Sequence, residues 1–137
     1  MRLLAKAEMK KKIEPKIIEE VGFDFHWAEE KVWKLNVPVE GMDIGKLAWH
    51  FDIPFWWTEN GYYDFKPIWV INEPDKYPER VKRVMSSNLK YPLDIMYWKD
   101  RWLLLDVLHR LVKAKMLGFK KVKVRKIPRK FIPLIEK

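Results

Sequence analysis

Residues 91–128, YPLDIMYWKDRWLLLDVLHRLVKAKMLGFKKVKVRKIP, carry the clearest secondary-structure pattern in the chain. Two short runs rich in apolar and aromatic residues, Pro92–Trp98 and Trp102–Leu105, flank the polar turn Lys99-Asp100-Arg101. Strand-forming residues bounded by turn residues are typical of a β-hairpin. The sequence therefore predicts two neighbouring antiparallel strands here.

A helix and a further strand follow this hairpin. Helical periodicity extends over Val107–Leu117, and Gly118 is suited to end the helix because glycine accepts a left-handed conformation. Lys121–Ile127 alternates like a strand, and Arg129–Ile135 could close the chain as a helix. Strand, strand, helix, strand predicts a small α/β (α+β) domain with a mixed sheet and helices.

On the N-terminal side, the sequence predicts a basic helix over Arg2–Lys12 and a short helix over Pro15–Glu20 that ends at Gly22. Because both are short and polar, we expect residues 1–22 to be a helical appendage that is loosely packed or ordered by a partner. Residues 23–137 are expected to form one domain, in keeping with the usual size of domains.

The middle of the chain gives weaker signals. Val32–Val37 and Trp49–Trp57 are predicted to be extended, and Asn60-Gly61 is suited to a hairpin turn. Helices are predicted from Pro67 and over Lys76–Met85. The dense aromatic cluster of residues 49–69 is interpreted as core or a partner surface, with a base-binding pocket as the alternative.

Composition excludes several classes of protein. The 137 residues are 48% hydrophobic, contain no Cys and include no apolar run long enough to span a membrane. Disulfides and thiol chemistry are thereby excluded, and we expect a cytoplasmic protein without membrane contact. The absence of Gln beside many charged residues is typical of thermophilic proteins.

The net charge of +9 is concentrated in the C-terminal half. Residues 1–68 carry 10 Lys and Arg against 12 Asp and Glu, whereas residues 69–137 carry 18 against 7. From Arg110 onward there are 11 basic residues and a single acidic one, Glu136. An anionic partner is therefore expected to bind the C-terminal half.

The start of the predicted helix is a candidate phosphate site, because a helix N-terminus directs backbone N–H groups at an anion. The N–H groups of Leu108 and His109 would bind phosphate, and Arg110 and Lys113 would neutralise it. Asp106 would hold a cation such as Mg²⁺ or cap the helix. His109 and Arg110 have ordinary alternatives, as a partly exposed histidine and as a structural ion-pair residue.

The same segment resembles the ParB/sulfiredoxin-like superfamily. In those proteins a strand ends in a D-G-x-H-R type turn, followed by a helix, L-G and a basic strand. The matching residues are Asp106, His109, Arg110, Lys113-Ala114, Leu117-Gly118 and Val122–Pro128. The resemblance implies a ParB/sulfiredoxin-like α/β fold with a nucleotide-phosphate site at the helix start.

Two departures from the family pattern limit what the resemblance implies. Sulfiredoxin activity is excluded because the chain has no Cys, and Val107 stands where the family has glycine. Since a β-branched residue resists positive φ, either the turn uses ordinary dihedrals or the site is weakened. If the protein is an enzyme, phosphoryl transfer or phosphodiester hydrolysis is expected, with His109 and Asp106 as catalytic residues.

The alternative function is nucleic-acid binding without catalysis through residues 120–130. Lys121, Lys123 and Arg125 fall on one face of the predicted strand by the two-residue period. Such a face could bind a phosphate backbone, or it could be a solvated edge strand protected by lysines. Stacking rings are scarce here, because the only aromatic residues are Phe119 and Phe131, which flank this segment.

Other chemistries receive little support. The pair His50 and Asp52 could share a strand face as a general base, but this spacing is common. The histidines are scattered without zinc-site spacing, and no P-loop, Rossmann or hydrolase-elbow motif occurs.

Overall fold

A computed structural model describes residues 15–59, 61, 63–106 and 108–137. Within them, four strands form one mixed sheet in the order β1-β4-β2-β3: β1 Val39–Asp43, β2 Leu93–Trp98, β3 Arg101–Leu104 and β4 Lys121–Lys126. Strands β1 and β4 are antiparallel, β4 and β2 are parallel, and β2 and β3 form an antiparallel hairpin. The prediction of a small mixed α/β (α+β) domain is confirmed at this level.

Six α-helices surround the sheet in the described part of the chain: α1 Lys16–Val21, α2 Glu29–Trp33, α3 Pro67–Asn72, α4 Pro78–Met85, α5 His109–Met116 and α6 Ile132–Ile135. Four short 3₁₀ helices complete it: Ile44–Lys46, Ala48–Asp52, Pro74–Lys76 and Arg129–Phe131. None of the helices described here is both long and apolar enough to cross a lipid bilayer.

Strand β2 lies at the centre of two apolar clusters. Its residues Leu93 and Ile95 belong to the larger cluster, which also contains Leu111 of α5, whereas Met96 belongs to a smaller cluster with Ile135 of α6. Because successive strand residues point to opposite faces, helices cover both sides of the sheet. This double burial explains why β2 reads as a nearly continuous apolar run.

Helix α5 ends as the sequence predicts. Gly118 has φ +82, its N–H donates to the carbonyl of Lys115 (3.1 Å), and the N–H of Phe119 donates to the carbonyl of Ala114 (2.9 Å). These two bonds form a Schellman motif, which satisfies carbonyl groups that the helix end leaves open.

Gly118→Ala is expected to lower the free energy of unfolding by about 1 kcal/mol, because an L-residue at positive φ is strained. No atom lies within 4 Å of the added Cβ, so the loss is conformational rather than steric. Gly41→Ala in β1 is the matched control, since its added Cβ also meets nothing within 4 Å and its φ is not positive. Urea unfolding measures the free energy of unfolding of both variants. Equal values would contradict the left-handed conformation of Gly118.

The predicted strand Val32–Val37 is wrong. Val32 and Trp33 instead end helix α2, and residues 34–37 form a turn and an irregular segment. Glu29 and Glu30 lie in the first turn of α2, where carboxylates interact favourably with the helix dipole. Arg125 of β4 holds the end of this helix against the sheet. Its Nη2 donates to the carbonyl of Val32 (3.0 Å) and its Nη1 to that of Leu35 (2.8 Å). A contact between residues so far apart in sequence overrides the local strand preference.

The predicted extension of Trp49–Trp57 is also wrong for its first half, which forms the 3₁₀ helix Ala48–Asp52. His50 fixes this turn, because its Nδ1 bonds to the carbonyl of Leu47 (2.8 Å) and its Nε2 accepts from the N–H of Leu104 (3.2 Å). Trp49 Nε1 donates to the carbonyl of Trp102 (3.3 Å). These bonds satisfy the outer edge of β3.

The predicted appendage and turn are described in part. Residues 1–14 and Asn60 lie outside the described residues. Within residues 15–22, Ile18 and Val21 are buried and Trp98 Nε1 donates to the carbonyl of Gly22 (3.2 Å), so this part is packed rather than loose. Around Asn60, residues Trp56 and Phe65 form one antiparallel bridge.

Candidate functional site

The junction between β3 and α5 has an unusual backbone conformation. Leu108, the residue before α5, has φ 73 and a buried side chain. A left-handed conformation costs a non-glycine residue about 1–2 kcal/mol, so burial of the leucine side chain must hold it there. Val107, where the family has glycine, lies outside the described residues.

Arg110 holds the start of α5 against the chain that leads into β2. Its Nη1 donates to the carbonyls of Tyr91 (3.0 Å) and Pro92 (2.9 Å), and its Nη2 donates to Asp106 Oδ2. Asp106 therefore lies in an ion pair with a residue four positions later, and Leu108 occupies the N-cap position. The guanidinium predicted to neutralise phosphate is oriented by three acceptors of the protein itself.

Lys113, the other predicted phosphate ligand, also contacts the protein. Its Nζ donates to the carbonyls of Met85 (2.9 Å) and Ser87 (2.7 Å), at the end of α4. A lysine in this position satisfies terminal carbonyls and interacts favourably with the helix dipole. The contact fastens α4 to α5.

His109 is the polar group with the least satisfied environment. Its Nε2 is buried and has no hydrogen-bond partner among the described residues, while its ring lies 5.2 Å from that of Trp56. Burial and the Arg80 guanidinium lower the pKa of His109 below its usual value, although the Asp106 carboxylate opposes them. The imidazole is therefore neutral at physiological pH. A buried nitrogen without a hydrogen bond is uncommon in folded proteins.

Asp106, His109 and Arg110 line one cavity of about 830 Å³. The other lining residues come from three separate parts of the chain: Trp33, Ser87, Asn88, Tyr91, Pro92, Asp94 and Arg125. The structure thus brings together the predicted Asp106, His109 and Arg110. Leu108 and Lys113 are not among the lining residues.

Two large aromatic side chains line this cavity and remain open to solvent. Trp33 is 64% exposed and Tyr91 is 60% exposed. Exposed rings in a concave surface provide stacking faces for a planar ligand. The sequence pattern indicates neither residue as part of a site, because Trp33 lies in a predicted strand and Tyr91 lies in an irregular segment.

A buried ion pair also lines the cavity. Arg125 Nε donates to Asp94 Oδ1 (2.6 Å), and both side chains are at least nine-tenths buried. Asp94 was also missed, although an aspartate within the apolar run of β2 is the kind of buried polar residue that signals a special environment.

Arg125 corrects the predicted basic face. Lys121 and Lys123 are exposed, but Arg125 is buried, because α2 covers this end of β4 and offers carbonyl groups to the guanidinium. Two of the three predicted nucleic-acid ligands therefore remain accessible.

The other candidate residues do not form a site. His50 is buried and Asp52 is exposed, so they do not form a general-base pair. Across the residues that the structure describes, no group of three or more His, Asp or Glu side chains could hold a metal ion. In the aromatic cluster, Phe51, Trp56 and Phe65 are core residues.

The cavity combines stacking surfaces, two carboxylates, two oriented guanidinium groups and a neutral imidazole. Each guanidinium pairs with one carboxylate, so the cavity is suited to a polar ligand of low charge. Comparison of the chain with protein-family models, with curated proteins and with solved structures finds no match in any of the three.

Proposed function

We propose that the cavity binds a nucleoside or nucleotide, with the base in contact with the rings of both Trp33 and Tyr91. The observation that carries this proposal is the presence of two largely exposed rings and a hydrogen-bonding lining in one cavity of about 830 Å³. A base stacked on an aromatic side chain contributes about 1–3 kcal/mol to binding.

The lining is suited to the edge of a base, which presents N–H donors beside nitrogen and oxygen acceptors. Asp94 and Asp106 supply acceptors, Asn88 supplies both kinds of group, and His109 lines the same cavity.

In this proposal the base contributes more than the phosphate. Arg110 and Lys113 donate to acceptors of the protein, so they have fewer groups to offer an anion than the sequence suggests. The resemblance to ParB/sulfiredoxin-like proteins supports the same ligand class, because it implies a nucleotide site at this turn. Binding is proposed without a chemical step.

Trp33→Ala and Tyr91→Ala are each expected to weaken binding of the tightest nucleoside by about tenfold, because each removes a stacking face. Calorimetric titration with the four common ribonucleosides and their monophosphates, with and without Mg²⁺, measures the affinities of the wild type and the variants. Nucleoside and monophosphate should bind within about tenfold of each other.

Trp57→Ala is the matched control, since this ring is 51% exposed but does not line the cavity. The control variant should bind like the wild type. No heat with any of the eight compounds, or an equal loss in all three variants, would overturn the proposal.

A further inference from the structure

A shallow groove of about 150 Å³ lies beside the cavity and shares two of its lining residues, Tyr91 and Arg110. The groove continues from them to Phe119, Lys121 and Lys123. Cavity and groove are therefore two parts of one surface. We call the second part the basic groove.

The basic groove presents a ring and two cations to solvent. Phe119 is 48% exposed, and Lys121 and Lys123 are exposed as well. Neither lysine has an ion-pair partner among the residues that the structure describes. These groups are thus available to an anionic ligand that also carries a planar group.

The neighbouring strand β1 leaves one side of the groove open. Gly41 pairs with Lys123 across the strands, and nothing lies within 4 Å of a Cβ built on it. Asp43 pairs with Lys121, and its Oδ1 accepts from the N–H of Gly45 (2.8 Å). The residue opposite Lys123 therefore has no side chain, and the nearest carboxylate on this face of β1, that of Asp43, accepts a hydrogen bond from the backbone.

The lining of this surface contains both aromatic rings and cations: Trp33, Tyr91 and Phe119, with Arg110, Lys121 and Lys123. Single-stranded nucleic acids are bound by such surfaces, in which aromatic side chains stack on successive bases and cations track the backbone. A duplex keeps its bases stacked inside and offers none to the rings. The rings come from three distant segments, so the basic strand alone does not reveal them.

We propose that the cavity and the basic groove form one site for single-stranded nucleic acid. One base enters the cavity, a neighbouring base stacks on Phe119, and Lys121 and Lys123 bind the backbone phosphates. This inference rests on the proposed nucleotide binding, because the first base occupies the same cavity.

Fluorescence anisotropy with labelled single-stranded oligonucleotides of ten nucleotides, dT10 and U10, tests the proposal. The oligonucleotide is expected to bind at least tenfold more tightly than the mononucleotide. Replacing Lys121 and Lys123 together with alanine should lower oligonucleotide affinity by about tenfold and reduce the slope of log K against log salt by about 1.4. Mononucleotide binding should be unchanged.

Gly41→Glu provides an independent variant that leaves both lysines in place. The added carboxylate lies opposite Lys123 on an open surface, so the variant should fold normally and weaken oligonucleotide binding. Gly41→Gln has nearly the same size without the charge, and it should bind like the wild type. Circular dichroism checks the fold of both.

The outcomes separate this inference from the proposed function. If mononucleotides bind but oligonucleotides bind no better and without dependence on salt, the extended site is wrong while the cavity proposal stands. If the lysine variant loses mononucleotide binding equally, or if a duplex of the same length binds as tightly as the single strand, the inference is likewise overturned. Salt-dependent oligonucleotide binding without mononucleotide binding would contradict the shared cavity.

Discussion

Arg125→Ala is expected to lower the free energy of unfolding by about 3–5 kcal/mol. The substitution leaves the Asp94 carboxylate buried without its cation, which is much more costly than losing an exposed ion pair. It also removes the donors that satisfy the carbonyls of Val32 and Leu35. Helix α2 would lose its main polar attachment to the sheet.

The double variant Asp94→Leu and Arg125→Met separates these two costs. Removing the stranded carboxylate should restore about 2 kcal/mol, and the open carbonyls should keep the double variant below the wild type. Lys123→Ala on the same strand is the exposed control, with an expected change within about 0.5 kcal/mol. Urea unfolding of the wild type and the three variants measures these changes. If Arg125→Ala lowers the free energy of unfolding no more than Lys123→Ala does, a structural role for the ion pair is contradicted.

Acidification is expected to destabilise the protein through His50. Burial is the main cause that lowers the pKa of His50 from 6.5 to about 4. Between these two values the unfolded chain binds more protons than the folded chain, so stability falls as the pH falls from 6.5 to 4. The full difference corresponds to about 3 kcal/mol.

Comparison with His50→Gln isolates this contribution. The variant is less stable at pH 7, but it has no imidazole to protonate, so its loss between pH 7 and pH 4 should be smaller than that of the wild type by about 3 kcal/mol. Subtracting the two profiles cancels the carboxylates and His109, whose pKa is also lowered. Parallel profiles would show that His50 does not remain neutral in the folded state.

The C-terminal elements could be predicted because their signals are local. The hairpin of β2 and β3 is marked by apolar runs around a polar turn, and α5 by its periodicity and Gly118. Strand β4 alternates clearly. The helix from Pro67 was also predicted correctly, since proline favours the first turn of a helix.

Elements that depend on distant contacts could not be predicted. Helix α2 requires Arg125 at its end, and the 3₁₀ turn around His50 requires the edge of β3. Strand β1 was missed because its residues, VEGMD, bury only Met42 and show no strong alternation. Apolar residues at a regular spacing indicate a buried face. An exposed edge strand has no such face, so its sequence shows little of this pattern.

The candidate site could be predicted only where its residues are close together in sequence. Asp106, His109 and Arg110 are adjacent in sequence and line the cavity together, whereas Trp33, Tyr91 and Asp94 reach it only through the fold. The cationic character of the helix start was overestimated. Backbone carbonyls at the ends of neighbouring elements need donors, and Arg110 and Lys113 supply them.

The most direct measurement of nucleotide binding in the cavity is the ¹⁵N NMR signal of the His109 ring during titration with the tightest-binding ribonucleoside. Because His109 lines the cavity, its signal should shift on saturation, while the signal of His50, which does not line the cavity, stays in place. Saturable binding that leaves the His109 signal unmoved, or no binding by any ribonucleoside, would contradict the proposed site.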